Sequence, residues 1–234
     1  MSAIPEPRPD LRRERGDRTR QAILESAARL SSVEGLEGLS IGRLAEHLGM
    51  SKSGLYAHFR SKEELQLATV RTAQAMYDEA IMQPALREPA GVRRVLRFAD
   101  LYLDYLRDGP FLGGCFFIAA YLDPARNRGP VRDALVEIQA GLLRFFTDAV
   151  AAAQSAGEVP DGTAPHELAF TIDAILVGAD LNFVLFHDPA YLEMAKDALR
   201  RALGQPARPS PDAAPVSAAE RGSAPREALG SSGG

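Results

Sequence analysis

Apolar side chains recur every three or four residues along most of this 234-residue chain, which is the spacing of a buried face on an α-helix. The repeats stop at glycines, prolines and short polar stretches, and so divide the chain into about nine helices. No segment alternates apolar and polar residues for long enough to form a strand. The pattern predicts an all-α fold. The predicted helices cover residues 17–35, 41–48, 52–59, 61–82, 90–107, 111–122, 130–155, 165–187 and 189–203.

Composition divides the chain into four parts. Residues 1–16 are rich in proline and arginine and predict a disordered basic arm, either solvated or in contact with nucleic acid. Residues 17–62 hold three short helices, and residues 63–203 form a larger helical body that begins with a long helix ended by a proline. Residues 204–234 are rich in Pro, Ala, Ser and Gly without periodicity, which predicts a disordered tail.

Two short helices within the first domain are joined by a tight turn. Ser40 and Ser51 are placed to cap the two helices at their N-termini. Gly49 lies between them, and only glycine readily takes the left-handed conformation that turns the chain sharply after a helix. This arrangement predicts a helix-turn-helix, whose second helix would enter the DNA major groove.

A characteristic run of residues accompanies this turn, namely Ile41, Ala45, Gly49, Ser51, Leu55, Tyr56, His58, Phe59, Lys62, Glu63 and Leu65. The run resembles the DNA-binding segment of the tetracycline-repressor (TetR) family. The likeness covers about residues 17–65 and implies an all-helical, dimeric regulator whose larger C-terminal part binds a small molecule. One departure is Gly42, where a charged residue is more common, and it costs ~1 kcal/mol of helix propensity relative to Ala.

The second helix supplies the predicted DNA contacts. Lys52 and Ser53, on its first turn, are predicted to contact base edges, and Tyr56 and Lys62 to contact phosphates, while His58 suits either role. Thr19 and Arg20 lie on the predicted first turn of the first helix and are expected to contact phosphate through their side chains and free backbone N–H groups. The full predicted set is Thr19, Arg20, Ser40, Ser51, Lys52, Ser53, Gly54, Tyr56, His58 and Lys62.

The body is rich in aromatic residues with few polar neighbours, which suits a pocket for a small hydrophobic or aromatic effector. An aromatic side chain at helical spacing is also typical of plain core packing, and a lone carboxylate is also typical of a solvated face. Both alternatives stay open for the predicted ligand-binding residues, which are Tyr102, Tyr105, Phe116, Phe117, Tyr121, Phe145, Asp173 and Phe183.

The last two helices, 165–187 and 189–203, carry more apolar residues than one buried stripe needs. Core packing explains about half of them. The resemblance implies that two such helices from each subunit form a four-helix interface in a homodimer. A dimer would place two recognition helices on the two half-sites of a palindromic operator in double-stranded DNA.

Charge is divided unevenly along the chain. The net charge is -4, but residues 1–62 hold 11 Lys/Arg and 8 Asp/Glu, giving +3, which leaves 16 and 23, giving -7, for the remainder. A basic N-terminal module and an acidic body fit phosphate contact through the first domain alone.

Several classes of protein are excluded. Motifs for nucleophilic hydrolysis, phosphate binding, dinucleotide binding and zinc proteolysis are missing, so we expect no enzyme and no cofactor. The four histidines lack ligand spacing, so no metal site is expected, and Cys115 suits a small buried residue without a role. No run of ~18 apolar residues predicts a membrane span, and no signal peptide is visible, so we expect a cytoplasmic protein without membrane contact.

These features predict a ligand-responsive transcriptional regulator. Its interpretation as a repressor, released from its operator by an effector, follows from the resemblance alone. The alternative is a helical interaction protein that senses a ligand without binding specific DNA, and it would be favoured if changing Lys52 and Tyr56 left every function intact.

Overall fold

The computed structural model describes residues 11–123 and 129–206. All regular structure in these ranges is helical, which confirms the predicted all-α class. A π-helical turn, Asp78–Met82, joins α4 to α5 without a break, so that the described residues hold nine helices when these are counted as one. The bounds are α1 Leu11–Gly38, α2 Ile41–Leu48, α3 Lys52–Tyr56, α4 Lys62–Tyr77, α5 Gln83–Leu86, α6 Val92–Asp108, α7 Phe116–Tyr121, α8 Pro130–Ser155, α9 Pro165–Phe186 and α10 Ala190–Ala202.

The first helix begins earlier than the sequence predicted. It starts at Leu11 rather than Asp17, so the second part of the predicted arm is helical, while residues 1–10 lie outside the described residues. Leucine, arginine and glutamate between Leu11 and Gly16 favour a helix, and the ~1 kcal/mol cost of one glycine is not enough to end it. The helical geometry is interrupted at Gly35, with φ 75° and ψ 158°, where the sequence predicted the end of the helix.

The long helix of the body does not stop at Pro84, contrary to the prediction. It continues to Leu86 through the π-helical turn. A proline inside an α-helix lacks an N–H, and its ring collides with the carbonyl four residues earlier. The π turn relieves this conflict by widening the helix just before Pro84, where the N–H of Gln83 bonds to the carbonyl of Asp78, five residues back.

One apolar core runs from the first domain into the body. Helix α4 packs against both α1 and α8. Helix α9 packs between α8 and α10, in contact with each. The connection between α6 and α7 lies against α1, and a Cβ at Gly113 would collide with the carbonyl oxygen of Ser32. The largest fully buried side chains are Leu36, Leu39, Leu44, Leu55, Phe59, Leu65, Ile81, Phe98, Leu103, Phe116, Phe146 and Ile172.

Helix α9 is unusually apolar. Within the described ranges it is the one helix long and apolar enough to cross a membrane, with a mean hydropathy of 1.8 over an 18-residue window. The sequence was not expected to hold such a segment. Length and composition alone are weak support for a span, because core helices pass the same test. Here 33% of the window is buried within the subunit, and α9 packs against α8 and α10.

Two predicted irregular segments fall largely outside the described residues. These are the loop expected between the helices at residues 123–129, of which 124–128 are not described, and the tail expected at residues 204–234, of which 207–234 are not described. The tail was predicted to begin at residue 204, but Gln205 is held in place. Its backbone N–H donates a 2.8 Å hydrogen bond to the carbonyl of Arg200, and its side-chain amide donates a 2.7 Å bond to the carbonyl of Glu158.

Candidate DNA-binding surface and ligand cavity

Helix α3 presents three polar side chains to solvent. The Ser51 hydroxyl caps this helix, as predicted, by accepting a 3.1 Å hydrogen bond from the backbone N–H three residues later. Leu55 is fully buried and anchors the opposite side of the helix. The anchoring leaves Lys52, Ser53 and Tyr56 exposed together, and Tyr56 is 58% accessible.

Lys52 lies directly over α2. A Cβ built on Gly42 would be 3.5 Å from Cε of Lys52, so the lysine stem crosses α2 at its one residue without a side chain. Lys52 has no hydrogen-bond or ion-pair partner in the part of the chain that the structure describes. Its ammonium group is therefore available to a ligand outside the subunit.

The turn between α2 and α3 has the predicted geometry. Gly49 takes φ 62° and ψ 25°, in the left-handed region, and the N–H of Met50 closes the turn with a 2.9 Å bond to the carbonyl of Ala45. The Ser40 hydroxyl caps α2 by accepting a 3.2 Å bond from the N–H of Arg43. Ser40 and Ser51 thus each satisfy a free N–H group at the start of their own helix, whatever else their hydroxyls contact.

Thr19 and Arg20 do not lie on the first turn of a helix, as the sequence predicted. Helix α1 begins about two turns earlier, so their backbone N–H groups are not free. The Thr19 hydroxyl donates a 2.9 Å bond to a carbonyl within α1. The Arg20 guanidinium lies 4.8 Å from the centroid of the Phe59 ring and 3.8 Å from the carboxylate of Glu64, which ties α1 to the rest of the domain.

Lys62 is engaged within the subunit. Its ammonium group donates bonds of 2.8 Å to the backbone carbonyl and 2.6 Å to the side chain of Glu37, so phosphate contact would compete with this pair. His58 is half-buried beside Phe59, with the two ring centroids 6.3 Å apart. A Cβ at Gly54 would lie 3.1 Å from the capping hydroxyl of Ser51, so this glycine protects the cap.

Sequence reasoning missed Arg60. It lies in the loop between α3 and α4, where its side chain is exposed and has no partner among the residues described. Its backbone N–H donates a 2.9 Å bond to the Glu64 carboxylate, which fixes the loop. The position next to the helix-turn-helix was a usable signal, because cations there commonly contact phosphate.

The body contains a cavity of about 620 Å³, which is the size of a pocket for a drug-sized molecule. Its walls come from α4, the π turn and α6 to α9. Four of the predicted ligand-binding residues line it, namely Tyr102, Phe117, Tyr121 and Asp173.

The other four predicted ligand-binding residues lie outside the cavity lining. Phe116 is 1% exposed and packs edge-on against Phe117, with the two ring centroids 5.3 Å apart. Phe145 packs against Phe98 at 5.3 Å, so it contributes to the core. Tyr105 and Phe183 likewise pack against the core. Their helical spacing gave no means of separating the core from the cavity.

Sequence reasoning missed most of the polar lining. Because the prediction assigned α4 to connecting the two domains, none of its residues was a candidate. Gln139 also faces the cavity and donates a 3.1 Å bond to Asp173. The polar lining residues that were missed are Arg71, Gln74, Tyr77, Asp78, Cys115, Glu137 and Gln139.

Burial controls the ionisation of the cavity wall. It raises the pKa values of Tyr77, Tyr102 and Tyr121 above that of an ordinary phenol, so all three are neutral at physiological pH. Burial also raises the pKa of Cys115 to about 11, which leaves a neutral thiol rather than a reactive thiolate. The pKa values of Asp78 and Asp173 are raised for the same reason.

The last turn of α1, beyond the break at Gly35, is held from two sides. Lys62 at the start of α4 binds Glu37, and the buried amide of Gln66, one turn later, donates a 2.9 Å bond to the carbonyl of Leu36. From the other side, the carboxylate of Asp123 accepts a 2.9 Å bond from the N–H of Glu37. Because α4 and α7 both line the cavity, two of its walls are connected to the end of α1, which leads into α2.

Helices α9 and α10 leave an apolar face uncovered. Leu185 is 66% exposed and Phe170 is 67% exposed, although both lie on a helix whose other side packs in the core. Single exposed apolar residues are ordinary, but a continuous group indicates an interaction surface. The exposed group is Phe170, Val177, Leu181, Leu185, Phe186 and Met194.

Two family models match the chain. Residues 23–69 match the model described as bacterial regulatory proteins, tetR family, and residues 91–199 match the model described as tetracyclin repressor-like, C-terminal domain. The first match falls on the helix-turn-helix domain and the second on the helical body, and together they cover more than half of the chain. Both models describe regulatory proteins, and neither describes an enzyme.

Individual proteins show the same likeness. A segment of 69 residues, 30% of this chain, is 39% identical to the transcriptional repressor AcnR of Corynebacterium diphtheriae but spans only 36% of that protein's length. The transcriptional repressor Rv1474c of Mycobacterium tuberculosis is 28% identical over 78% of this chain and 93% of its own. The crystal structure of a TetR transcriptional regulator from Chloroflexus aurantiacus superposes with a TM-score of 0.74 at 25% identity, covering 83% of this chain and 98% of that one. From the two matched models, the caps and the glycine turn between α2 and α3, we conclude that this chain belongs to the TetR family.

Proposed function

We propose that the protein is a homodimeric transcriptional repressor of the cytoplasm, which leaves its operator when a small hydrophobic or aromatic effector fills the cavity. The observation that carries this proposal is the position of α4. The helix begins next to α3, with Lys62 bound to Glu37 at the end of α1, and its far end at Tyr77 lines the cavity. A ligand that moves the far end of α4 therefore moves the DNA-binding domain as well.

DNA contact is assigned to α3. Lys52 is suited to donate to guanine O6 and N7, and Ser53 to either base type, when the first turn of α3 enters the major groove. Tyr56 and Arg60 are exposed on the flank of this surface and are suited to phosphate oxygens. Lys62 would contribute only if it left Glu37.

The proposal requires two subunits. Helix α3 has five residues, and one copy of so short a helix reads few base pairs. We assign the uncovered faces of α9 and α10 to a four-helix interface between two copies. Such a dimer would place its recognition helices on half-sites of a palindromic operator, ~34 Å apart along the DNA.

The test measures binding of the purified protein to the intergenic DNA upstream of its own gene, over a salt series. We expect sequence-selective binding that weakens steeply with salt. The double variant Lys52→Ala, Tyr56→Ala should bind at least ~30-fold more weakly, because base and phosphate contacts of this kind contribute ~1–3 kcal/mol each. Arg97→Ala is the matched control, since it removes one exposed cation from the body, and it should bind as the wild type does.

The proposal is contradicted if the wild type binds the DNA no better than random sequence, or if the double variant and the control behave alike. The alternative interaction protein would then be favoured. Where an effector is found, linkage requires that operator DNA weaken effector binding by the same factor by which the effector weakens DNA binding.

A further inference from the structure

Negatively charged groups outnumber positively charged groups in the cavity lining. Three carboxylates line it, Asp173 on α9, Asp78 at the start of the π turn and Glu137 on α8, against one guanidinium, that of Arg71 on α4. None of the three carboxylates has an ion-pair partner among residues 11–123 and 129–206. The described wall therefore carries an excess of two negative charges when all four groups are ionised.

Asp173 is the carboxylate whose ionised form would be stabilised most by a counter-ion. It is half-buried, and the hydrogen bond that it accepts comes from a neutral amide, that of Gln139. Burial raises its pKa, as it does that of Asp78, because neither ionised form is compensated by a nearby cation. A positive charge brought into the cavity would supply the missing compensation.

The aromatic wall favours the same kind of ligand. The face of an aromatic ring attracts cations through its quadrupole, and the rings of Tyr77 and Phe117 lie against each other at the cavity, with centroids 5.7 Å apart. The hydroxyl of Tyr77 has no hydrogen-bond partner within the described ranges. As a neutral phenol, it can accept a hydrogen bond from an ammonium group.

Ligands of other charge fit less well. An anion would be met by Arg71 alone, which lies exposed at the edge of the cavity, and would be repelled by three carboxylates. A neutral apolar ligand would bury Asp173 further without bringing it a positive charge, and a buried charge without a partner is costly.

We propose that the cavity binds an organic cation, an aromatic or apolar molecule with one ammonium or similar positively charged group, whose charge is met by Asp173 and Asp78. The apolar part of the ligand packs against Tyr102, Phe117 and Tyr121. This inference rests on the proposed function only in treating the cavity as the effector site.

Two probes of nearly the same size and shape and of opposite charge test the inference directly. Tetraphenylphosphonium and tetraphenylborate are titrated separately into the full chain without DNA, and binding is measured by calorimetry. We expect the cation to bind at least ~10-fold more tightly than the anion. Asp173→Asn keeps the shape of the side chain and should weaken cation binding ~10-fold while leaving the affinity for the anion unchanged or higher.

Asp78→Asn is the second test variant, with the same expected direction, in case Asp173→Asn fails to fold. Asp148→Asn is the matched control, because it removes an exposed carboxylate of α8 that lies outside the cavity lining, and it should bind both probes as the wild type does. Failure of the cation to bind at 1 mM, equal affinity for both probes, or unchanged cation binding in both test variants would overturn the inference.

A separate measurement keeps this outcome distinct from that of the proposed function. Operator binding is measured with and without tetraphenylphosphonium. Selective cation binding that depends on Asp173 supports the inference even if the protein binds no operator, and in that case the proposed function alone fails. If the protein binds its operator but binds the two probes equally well, the inference fails and the proposed regulatory function is kept.

Discussion

Asp123, two residues beyond α7, accepts a 2.9 Å hydrogen bond from the backbone N–H of Glu37, near the C-terminal end of α1. Phe117 and Tyr121, on α7, line the cavity. A ligand that displaced α7 would therefore act on the DNA-binding domain by a path separate from α4. Lys62 at the start of α4 also binds Glu37, so α4 and the segment after α7 both hold the end of α1.

The hydrogen bond between Asp123 and Glu37 should transmit part of the effector response. We expect Asp123→Ala to lower the free energy of unfolding by ~1 kcal/mol, because it removes a charge-assisted hydrogen bond in a half-exposed position. The ratio of operator affinities without and with effector should also fall. Asp123→Asn keeps an oxygen acceptor and should restore most of both quantities. Chemical denaturation and a DNA-binding titration measure them, and equal behaviour of the two variants would count against this path.

Two glycine substitutions should have opposite effects. Gly49→Ala should destabilise the protein by ~1–2 kcal/mol, because alanine is strained at φ 62°. Gly16→Ala should stabilise it by ~0.5–1 kcal/mol, because the residue lies inside α1 and a Cβ there meets nothing within 4 Å. Thermal unfolding of both variants provides the comparison. A neutral Gly16→Ala would indicate that residues before Asp17 do not belong to a stable helix.

Asp180 should make the stability of the protein depend on pH. It is 4% exposed, and burial raises its pKa from 3.8 to about 6, partly opposed by the 3.0 Å hydrogen bond from the N–H of Cys115. The folded state therefore binds the proton more tightly than the unfolded state, so stability falls as pH rises from about 4 to about 6, by at most ~3 kcal/mol.

Asp180→Asn should remove this dependence, since an amide cannot ionise. The variant should be more stable than the wild type above pH 6 and lose that advantage towards pH 4, although its new amide N–H groups reduce the gain. Urea unfolding of both proteins between pH 4 and pH 8 measures the difference. A difference that does not change with pH would show that the ionisation of Asp180 is not the cause.

The uncovered face of α9 should mediate dimer formation. Leu185→Asp places a charge on a residue that is 66% exposed in the single subunit but buried in the proposed dimer. We expect a monomer by light scattering, and operator binding weakened at least ~10-fold because only one half-site is contacted at a time. Leu112→Asp changes a residue that is 92% exposed and belongs to the connection between α6 and α7, not to α9 or α10, and this variant should remain a dimer. A wild type that is monomeric at micromolar concentration would contradict the assignment.

The helix-turn-helix was predictable because its signals are local. A serine cap needs only the N–H groups of the next turn, as Ser40 and Ser51 show. The left-handed turn needs only a residue without a Cβ at Gly49. The run of family residues around them added the likeness to known regulators. Each of these signals depends on neighbours within a few positions, so one sequence contains all of them.

The bounds of α1 and α4 were predicted less well, since glycine and proline signals compete there with longer-range packing. Pro84 normally ends a helix, but the chain widens into a π turn and continues to Leu86. Ile81, inside this turn, is fully buried, so packing stabilises a helix that local propensity disfavours.

The amino-acid sequence by itself determined the helical class, the helix-turn-helix and the family, because these depend on periodicity, capping and residue order. Only the tertiary structure decided which residues form the cavity. Tyr102 and Tyr105 lie on the same helix, yet only Tyr102 lines it, and Asp78 and Asp173, which are 95 positions apart in the sequence, face it together. A cavity is the space left between several helices, so its lining depends on their relative positions, which no single helix encodes.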